Sequence, residues 1–511
     1  MTYTIVQKKG DKFYLCEVTG TWDPVKKNSK QTRKYLGRCD KDGNLIEPSK
    51  KLIARSCTFG SHYLLLKVME QTGLMTSLRD SFGDDRGTTI AALAILRVVS
   101  PGSFNGVADK MDESYLPELL SVDRKTDSSF ITRFLQDIGS DIGSRTRLFK
   151  ALATGNGAVV FDTTALPTSS EELEFAEYGR SYRRTRVKQT NLGVAFSSER
   201  RTPFMYKLYP GSLTDITLVR NMAADVRDLG MEDVEYVLDR GFFSEPNLRE
   251  LLDAGDGVTI AVPARLDVFK EYLSEAVRHM ENPETSDMLE GSVVRCRETC
   301  RTVAGHMMRV LVFQDDDRRT SETRSLYSAL TELEAKISGR PWDKRMNGLS
   351  DSETEDLPML ELIEENGKVT VKRKRNSVSA RENRCGRFVV ITTSDIPWKD
   401  VLMRYRKRNE IEYQFSQLKS DLGGGVTNLS DMGSAQGAVL TEFVALILRT
   451  ELVNRLRDND LIGSVHVPKV IGVMNKLKIT NTGGEWRLNE ITKEMRDMFT
   501  SLGVPLPLNR Y

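Results

Sequence analysis

Hydrophobic and polar residues alternate along residues 1–55, where TYTIVQ, KFYLCEVTGTW and RKYLGRC are typical of short strands separated by turns. In residues 56–150 the spacing changes, and apolar residues recur every three or four positions, as in TTIAALAILRVV and FITRFLQDIGSDI. The pattern therefore predicts a small β unit followed by a helical region. The helices fit a helix-turn-helix DNA reader and a generic helical bundle equally well.

A different order of elements follows in the central part of the chain. Residues 155–265 contain three strand-like segments and then helix, strand, helix and strand, which predicts an α/β layout around a mixed sheet. Residues 266–387 are less regular and suggest an insertion into this α/β domain. Residues 388–457 return to it with the strand FVVITTSD and long helices, whereas residues 458–511 have no clear pattern.

Composition narrows the class of protein. Of 511 residues, 39% are hydrophobic, which provides sizeable cores and excludes a disordered chain. Six cysteines without a Cys-x-x-Cys pair, and only four histidines, exclude a disulfide scaffold and argue against a zinc cluster. Neither a signal peptide nor a membrane-spanning apolar segment is recognisable, so we expect a soluble, cytoplasmic protein.

The net charge is only +2, so any binding of nucleic acid has to come from local basic patches. One patch, VKKNSKQTRK, is either a solvated hairpin tip or an arm that contacts phosphates. A second combines tyrosines with cations, which favours nucleic acid over a solvated loop. Its cations are Arg180, Arg183, Arg184, Arg186 and Lys188.

The segment from Tyr405 to Lys419 contains neither glycine nor proline and predicts a helix. Beside its apolar stripe, four polar positions fall within roughly a 60° arc. These positions are Tyr405, Arg408, Glu412 and Lys419. The alternative is an ordinary helix surface with an Arg408–Glu412 ion pair. Trp398 is expected to pack at the start of this helix.

Two aspartates end predicted strands. Asp162 follows AVVF and Asp239 follows VEYVL, and a carboxylate there is costly unless it is paired or binds a metal ion. Taken singly, each is better explained as a helix cap or turn residue. Together with Glu412, they can converge on two hard cations about 3.5–4 Å apart, an arrangement that serves phosphoryl transfer on a phosphodiester. Asp233 and Glu235, just before, are expected to be solvated.

These motifs resemble those of DDE transposases of the insertion sequence 4 superfamily. Tyr405-x2-Arg408-x3-Glu412-x6-Lys419 resembles the Tyr-Arg-Glu-Lys signature of that family, and Phe161-Asp162-Thr-Thr164 and Asp239-Arg-Gly-Phe242 resemble its first two acidic motifs. Arg33-Lys-Tyr-Leu-Gly37 is similar to the 1634-like branch of the same superfamily.

The resemblance implies an RNase H-like catalytic core, a mixed five-stranded sheet with flanking helices, interrupted by a β-rich insertion. It implies that Asp162, Asp239 and Glu412 are catalytic and bind two divalent ions, Mg2+ or Mn2+. Water would cut the DNA at the terminal inverted repeat of the element. The 3′-hydroxyl that is freed would then attack target DNA.

The resemblance also implies partners. These are double-stranded DNA, both the terminal inverted repeats and the target, and a second copy of the chain in a synaptic complex; a membrane is not among them. Tyr405, Arg408 and Lys419 would contact phosphates near the cleaved end, and residues 56–150 become a candidate DNA-binding region. Trp342 is our candidate for stacking on a flipped base, against the alternative of local packing. The protein would be associated with the nucleoid.

Three alternatives remain open at this point. The same acids would serve a nuclease without strand transfer. A catalytically inactive DNA-binding protein descended from a transposase would keep the fold. An unrelated α/β protein would use the acids only as caps and surface pairs.

Overall fold

The computed structural model describes most of the chain. Outside the described part lie residues 1, 11, 24–27, 46–54, 103, 123–126, 154–156, 169, 171, 180–186, 214, 278–279, 281–282, 409–430, 464, 483 and 510–511. The chain divides into two compact units. The first comprises Met1–Ser56, Ile479–Asn489 and Leu508–Tyr511, and the second comprises Cys57–Lys478 and Glu490–Pro507. Among the described helices, none is long and apolar enough to cross a membrane.

The first unit begins with the three strands that the alternating pattern predicts. They are β1 (Thr2–Lys9), β2 (Lys12–Asp23) and β3 (Asn28–Cys39), and they form an antiparallel sheet in the order β1-β2-β3. A bulge in the β2–β3 pairing falls at Leu15/Cys16. The short strand β4 (Arg55–Thr58) follows and belongs to another sheet.

The second unit begins with helices, as the apolar spacing predicts. They are α1 (Gly60–Gln71), α2 (Leu74–Phe82), α3 (Asp84–Val99), α4 (Val107–Asp112), α5 (Leu116–Leu120), α6 (Ser128–Ser140) and α7 (Ile142–Leu152). The apolar helix α3 is buried along most of its length. Asp127 caps α6 by accepting a hydrogen bond from the Phe130 backbone N–H at 2.7 Å, which satisfies one of the free donors of the first turn.

The predicted order of strands and helices follows. It comprises β5 (Ala158–Thr168), β6 (Lys188–Ser197), β7 (Thr202–Pro210), α8 (Asp215–Asp228), β8 (Glu235–Leu238), α9 (Glu245–Asp253), β9 (Gly257–Ala261) and α10 (Asp267–Val277). β5 pairs with β6, and β6 with β7, in antiparallel fashion, whereas β5, β8 and β9 run parallel to one another.

The remaining elements extend this sheet and cover it. They are β10 (Ser286–Leu289), β11 (Ser292–Val303), β12 (His306–Asp315), α11 (Asp316–Ile337), α12 (Asp351–Asp356), β13 (Leu360–Glu365), β14 (Lys368–Arg373), α13 (Arg375–Glu382), β15 (Arg387–Thr392), α14 (398–408), α15 (Met432–Asp458), α16 (Val467–Met474), β16 (Lys478–Thr482), β17 (Glu485–Leu488) and α17 (Lys493–Ser501). Residue 408 is the last described residue of α14. The hairpin of β16 and β17 joins β4 in a small sheet of order β17-β16-β4.

The central sheet has nine strands, in the order β10-β11-β12-β15-β9-β8-β5-β6-β7. The resemblance implied five. Four strands account for the difference. β15 pairs with β9 at the edge of the five-stranded part, and β12, β11 and β10, which the sequence assigns to an insertion, follow beyond β15. The mixed α/β architecture with flanking helices is confirmed.

Helix α15 lies close to α6 through a contact between small residues. A Cβ atom added to Gly437 of α15 would lie 2.0 Å from the Leu135 backbone oxygen, and one added to Gly139 of α6 would lie 1.9 Å from the Gly433 backbone oxygen. Only a residue without a side chain permits this approach of two backbones. Nearby, the buried side chains of Arg97 in α3 and Glu442 in α15 form an ion pair.

We expect Gly437→Ala to lower the free energy of unfolding by about 1–3 kcal/mol, because the new methyl group has to push two helix backbones apart. Gly472→Ala is the matched control. Gly472 also lies in a helix, but a Cβ atom there would meet nothing within 4 Å, so alanine should leave stability unchanged or raise it by up to about 1 kcal/mol. Thermal and urea denaturation followed by circular dichroism measure both variants. Equal melting temperatures of Gly437→Ala and Gly472→Ala would contradict the close contact between α6 and α15.

Candidate active site

Asp162 and Asp239 lie at the same level of two neighbouring strands. β5 and β8 are parallel, and their last paired residues are Phe161 and Leu238, each followed by an aspartate. Asp239 continues the extended backbone, with φ −72° and ψ 156°. Because neighbouring strands lie about 4.8 Å apart, the register places the two residues next to each other at the ends of adjacent strands.

Both aspartates lie on one face of the sheet, since side chains alternate along a strand. Phe161 lies on the opposite face, where its ring contacts that of Phe242 with centroids 5.3 Å apart. Asp162 shares its face with its β6 partner Val194, which lines a small cavity together with Phe443 of α15. The aspartates therefore lie on the face covered by α15.

Helix α14 lies on the same face of the sheet, over β12 and β15. Its apolar residues pack on a cluster that includes Phe313 and Val390 of the sheet. They are Trp398, Val401, Leu402 and Tyr405. Trp398 is the first residue of α14, and its ring centroid lies 6.1 Å from that of Phe313, so the prediction that it packs at the start of this helix is confirmed.

Two arginines of α14 fix its position by ion pairs. Arg404 pairs with Glu235, which also accepts a hydrogen bond at 2.7 Å from the Thr259 hydroxyl. The expectation that Glu235 is solvated is therefore wrong, because its carboxylate contacts the guanidinium of Arg404 and a hydroxyl group of the neighbouring strand β9. Arg406 contacts Asp315 at 2.6 Å and Glu290 at 2.8 Å.

Arg408 connects α14 with one of the two aspartates. Its guanidinium nitrogen Nη1 lies 3.2 Å from Oδ1 of Asp239, and its carbon Cζ lies 5.3 Å from the centroid of the Tyr405 ring. Arg408 is only 7% exposed, so this charge pair is shielded from water more than a surface pair. Asp239 is one described partner of Arg408, and Glu412, the partner that the sequence left open, lies outside the described residues.

A groove of about 1490 Å³ runs from these residues along α11 and α13. Asp239, Tyr405 and Arg408 line it at one end. Within the described part of the chain, several cations that line the groove form no ion pair with a carboxylate. They are Arg240, Arg265, Arg381, Arg384, Arg387 and Lys407.

The surroundings of Arg387 show that positively charged side chains lie close together here. Its guanidinium donates hydrogen bonds to two neutral oxygens, Gln314 Oε1 and the Asn383 carbonyl, each at 2.8 Å. Burial lowers the pKa of Arg387 below its ordinary value, and the nearby charge of Arg319 lowers it further. Carboxylates such as Asp317, Glu355 and Asp356 line the groove as well, so an anionic ligand would be bound by the arginines that form no ion pair among the described residues.

Residues 154–448, more than half of the chain, match the family model described as the transposase DDE domain. The chain belongs to the DDE transposase family. No curated protein matches the sequence. Among solved structures, the chain is similar to the cryo-EM structure of a piggyBac transposase synaptic complex with hairpin DNA. The identity is 9% and the TM-score 0.38, with 88% of this chain and 85% of that chain covered.

The structure describes only some of the residues that the sequence proposed for this transposase. Glu412, Lys419 and the four arginines of the basic segment (Arg180, Arg183, Arg184 and Arg186) are outside the described residues. Lys188 begins β6, and its ammonium group lies 6.0 Å from the centroid of the Tyr178 ring.

Trp342 is half-buried and packs against a cluster that includes Leu330 and Leu333 of α11. The Arg345 guanidinium lies over its ring at 4.4 Å, so one face of the tryptophan is already covered. These contacts are local, and Trp342 is not among the residues that line the groove next to Asp239.

Sequence reasoning missed the arginines that hold α14 and those that line the groove of the transposase. Arg404 and Arg406 flank Tyr405 in the segment RYRKR, and their alternate spacing was the available signal. Arg381, Arg384 and Arg387 recur every three residues along α13 and into β15, but the α11 residues that line the same groove lie far away in sequence. Their common groove therefore needed the tertiary structure.

We expect Arg406→Gln to destabilise the transposase by about 3 kcal/mol, because it leaves the buried Asp315 carboxylate without its cation. Lys270→Gln is the control, since it removes an exposed pair with Asp267 and should change stability little. Urea denaturation measures both. A loss for Arg406→Gln no larger than that for Lys270→Gln would mean that the pair does not hold α14.

Proposed function

We propose that this protein is the transposase of an insertion element, which binds the terminal inverted repeats of the element and catalyses metal-dependent DNA cleavage and strand transfer. The observation that carries the proposal is the register of β5 and β8, with Asp162 and Asp239 side by side on one face of the sheet. Membership in the DDE transposase family supports the same reaction class.

We further propose that the core is RNase H-like and that the branch is that of the insertion sequence 4 superfamily, 1634-like. The strand order β7-β6-β5-β8-β9, with three antiparallel strands followed by two parallel ones, supports this fold. The Tyr-Arg-Glu-Lys spacing supports the branch, and the contact between Arg408 and Asp239 gives one signature residue a partner in the site.

Glu412 is proposed as the third carboxylate on sequence grounds. It follows Arg408 by four residues in a segment whose composition predicts a helix. Residues four apart on a helix share a face, so the predicted helix would direct Glu412 to the side on which Arg408 meets Asp239. Glu410, only two residues away, would face the other side.

The two described aspartates fit divalent cations, since carboxylate oxygens are the ligands that Mg2+ prefers and two neighbouring carboxylates leave positions for water and phosphate. Within the described residues no three such ligands meet, so the set is completed only by the proposed Glu412. Two bound ions would activate the attacking oxygen and stabilise the leaving one. Asp162, Asp239 and Glu412 are the residues proposed to hold them.

The chain itself would position the DNA. Arg408 pairs with Asp239, and the signature implies that its guanidinium also contacts a phosphate near the cleaved bond. Tyr405 and Lys419 are proposed as further phosphate contacts, together with the basic segment 180–188. The unpaired arginines of the groove would extend the contact along the backbone of the DNA. Double-stranded DNA and a second copy of the chain are the proposed partners.

The active-site prediction concerns cleavage of a duplex that carries the element end, taken from the DNA flanking the gene. We expect Asp162→Asn, Asp239→Asn and Glu412→Gln each to reduce cleavage in Mg2+ by about 100-fold or more, since the ions contribute several kcal/mol to the transition state. Binding of the same duplex, measured by fluorescence anisotropy, should change little. Chelation of the metal by EDTA should abolish cleavage by the wild type.

Asp233→Asn is the matched control, because Asp233 is an exposed acid just before β8 with a positive φ of 53°, which asparagine tolerates. It should cleave like the wild type. Titration with Mn2+ by calorimetry gives a second readout, and the two strand-end variants should lose affinity. Binding without cleavage in every protein would favour the inactive DNA-binding descendant. Cleavage without joining to target DNA would favour the nuclease.

The arginines that line the groove are expected to affect the affinity for DNA rather than the rate of cleavage. We expect Arg384→Ala to weaken DNA binding by a similar factor for all sequences and to reduce the slope of log K against log salt by about 1, as the loss of one phosphate contact does. Lys344→Ala is the control, since Lys344 is an exposed cation that does not line the groove. Equal salt slopes for the two variants would place the DNA outside the groove.

A further inference from the structure

The sheet of the first unit has two different faces. Cα partners across β1, β2 and β3 assign the side chains to faces, because partners in a sheet point the same way and neighbours along a strand point opposite ways. One face, called the open face here, carries the aromatic rings and the cations considered below. The other carries Val6 and Leu15, which lie next to the turn at Gly43.

Four aromatic side chains share the open face: Tyr3, Tyr14, Trp22 and Tyr35. Trp22 is 65% exposed, Tyr35 61% and Tyr3 47%, which is unusual for rings of this size. The rings of Tyr14 and Tyr35 lie 5.9 Å apart at an interplanar angle of 55°. An array of exposed rings on a rigid sheet offers flat apolar surfaces for stacking.

The rings are held in place by the sheet itself. Gln31 of β3 donates a hydrogen bond to the Tyr3 hydroxyl of β1 at 3.5 Å, across the central strand β2. Beneath this bridge Val18 is buried, although it lies on the open face. This hydrogen bond and the contact between Tyr14 and Tyr35 hold three of the four rings against the sheet.

The charges on the open face have a single sign. Lys9, Lys12, Arg33 and Arg38 point to it, and no aspartate or glutamate among its described residues does. Lys9 and Lys12 are direct Cα partners, a placement of like charges that destabilises a sheet unless an anion neutralises them. Glu17 and Lys34 lie on the other face. No carboxylate of the described chain forms an ion pair with these four cations.

Exposed rings between cations of one sign match the two chemical surfaces of a nucleic-acid strand, its bases and its phosphates. In a duplex each base face is already covered by its neighbours, and separating one step costs a few kcal/mol. Unpaired bases carry no such cost and stack directly on tyrosine and tryptophan. The open face therefore suits a single strand better than a duplex.

We propose that the open face of the β1-β2-β3 sheet is a binding site for single-stranded DNA, with bases stacked on Tyr3, Tyr35 and Trp22 and phosphates bound by Arg33, Arg38, Lys9 and Lys12. The site lies outside the proposed catalytic residues and does not depend on their role. It also differs from the helical region, residues 56–150, which the sequence suggested as the DNA-binding part.

The full-length protein is titrated with a labelled oligo-dT of about 12 nucleotides, within the range of site sizes known for such surfaces, and with a duplex of the same length. Binding is followed by anisotropy and by tryptophan fluorescence. We expect the single strand to quench tryptophan fluorescence in the wild type. The quenching should be smaller in Trp22→Phe, which lacks the tryptophan on the open face. Tyr35→Ala should weaken binding by roughly 5-fold to 100-fold, and Tyr35→Phe by less than about 2-fold.

Arg33→Ala and Lys34→Ala form a matched pair, since these adjacent cations lie on opposite faces. Arg33→Ala should reduce the salt slope for the single strand by about 0.7, and Lys34→Ala should not. The proposal is overturned if the two variants behave alike, if quenching is the same in wild type and Trp22→Phe, or if the duplex binds this face more tightly. Cleavage of the duplex with the element end is measured in parallel on Arg33→Ala and Lys34→Ala, so a failure of the catalytic proposal is detected separately from a failure of single-strand binding.

Discussion

The parallel pairing of β5 with β8 is the constraint on which the rest of the site depends. The two strands come from segments separated by an antiparallel hairpin and a helix, and their register aligns Phe161 with Leu238. A slip of one residue would send one aspartate to the opposite face of the sheet. The buried run Val159, Val160 and Phe161 prevents this slip, because it would move apolar side chains out of their packing. Core packing thus sets the geometry of the carboxylates.

Helix α14 meets this pair of strands through charges rather than through apolar packing alone. Its apolar side rests on the sheet, while Arg404, Arg406 and Arg408 each contact a carboxylate on a different strand or strand end. Three contacts within about one helical turn leave the helix little freedom to rotate. Arg406 and Arg408 also line the groove, so two of the contacts that position α14 contribute cations to its lining.

Much of this was predictable from the sequence, and the limits have physical reasons. Strand-end acids, helical spacing and the order of elements are local signals, and they led to Asp162, Asp239 and Arg408. The size of the sheet was not predictable, because the pairing of β12 with β15 joins residues far apart in sequence. Glu235 was misjudged because its cation, Arg404, lies 169 positions away. The aromatic array of the first sheet needed the pairing of three strands, which residue spacing alone does not specify.

The close contact of α6 with α15 has a consequence for where the protein can be divided. The family match begins at residue 154, yet Gly437 of α15 lies against Leu135, and Glu442 is neutralised by Arg97, both of which precede that point. A protein expressed from residue 154 onward would expose a glycine-lined helix face and a buried carboxylate to water. The start of the family match is therefore not a boundary of folding, because helices that precede residue 154 complete the core of the matched part.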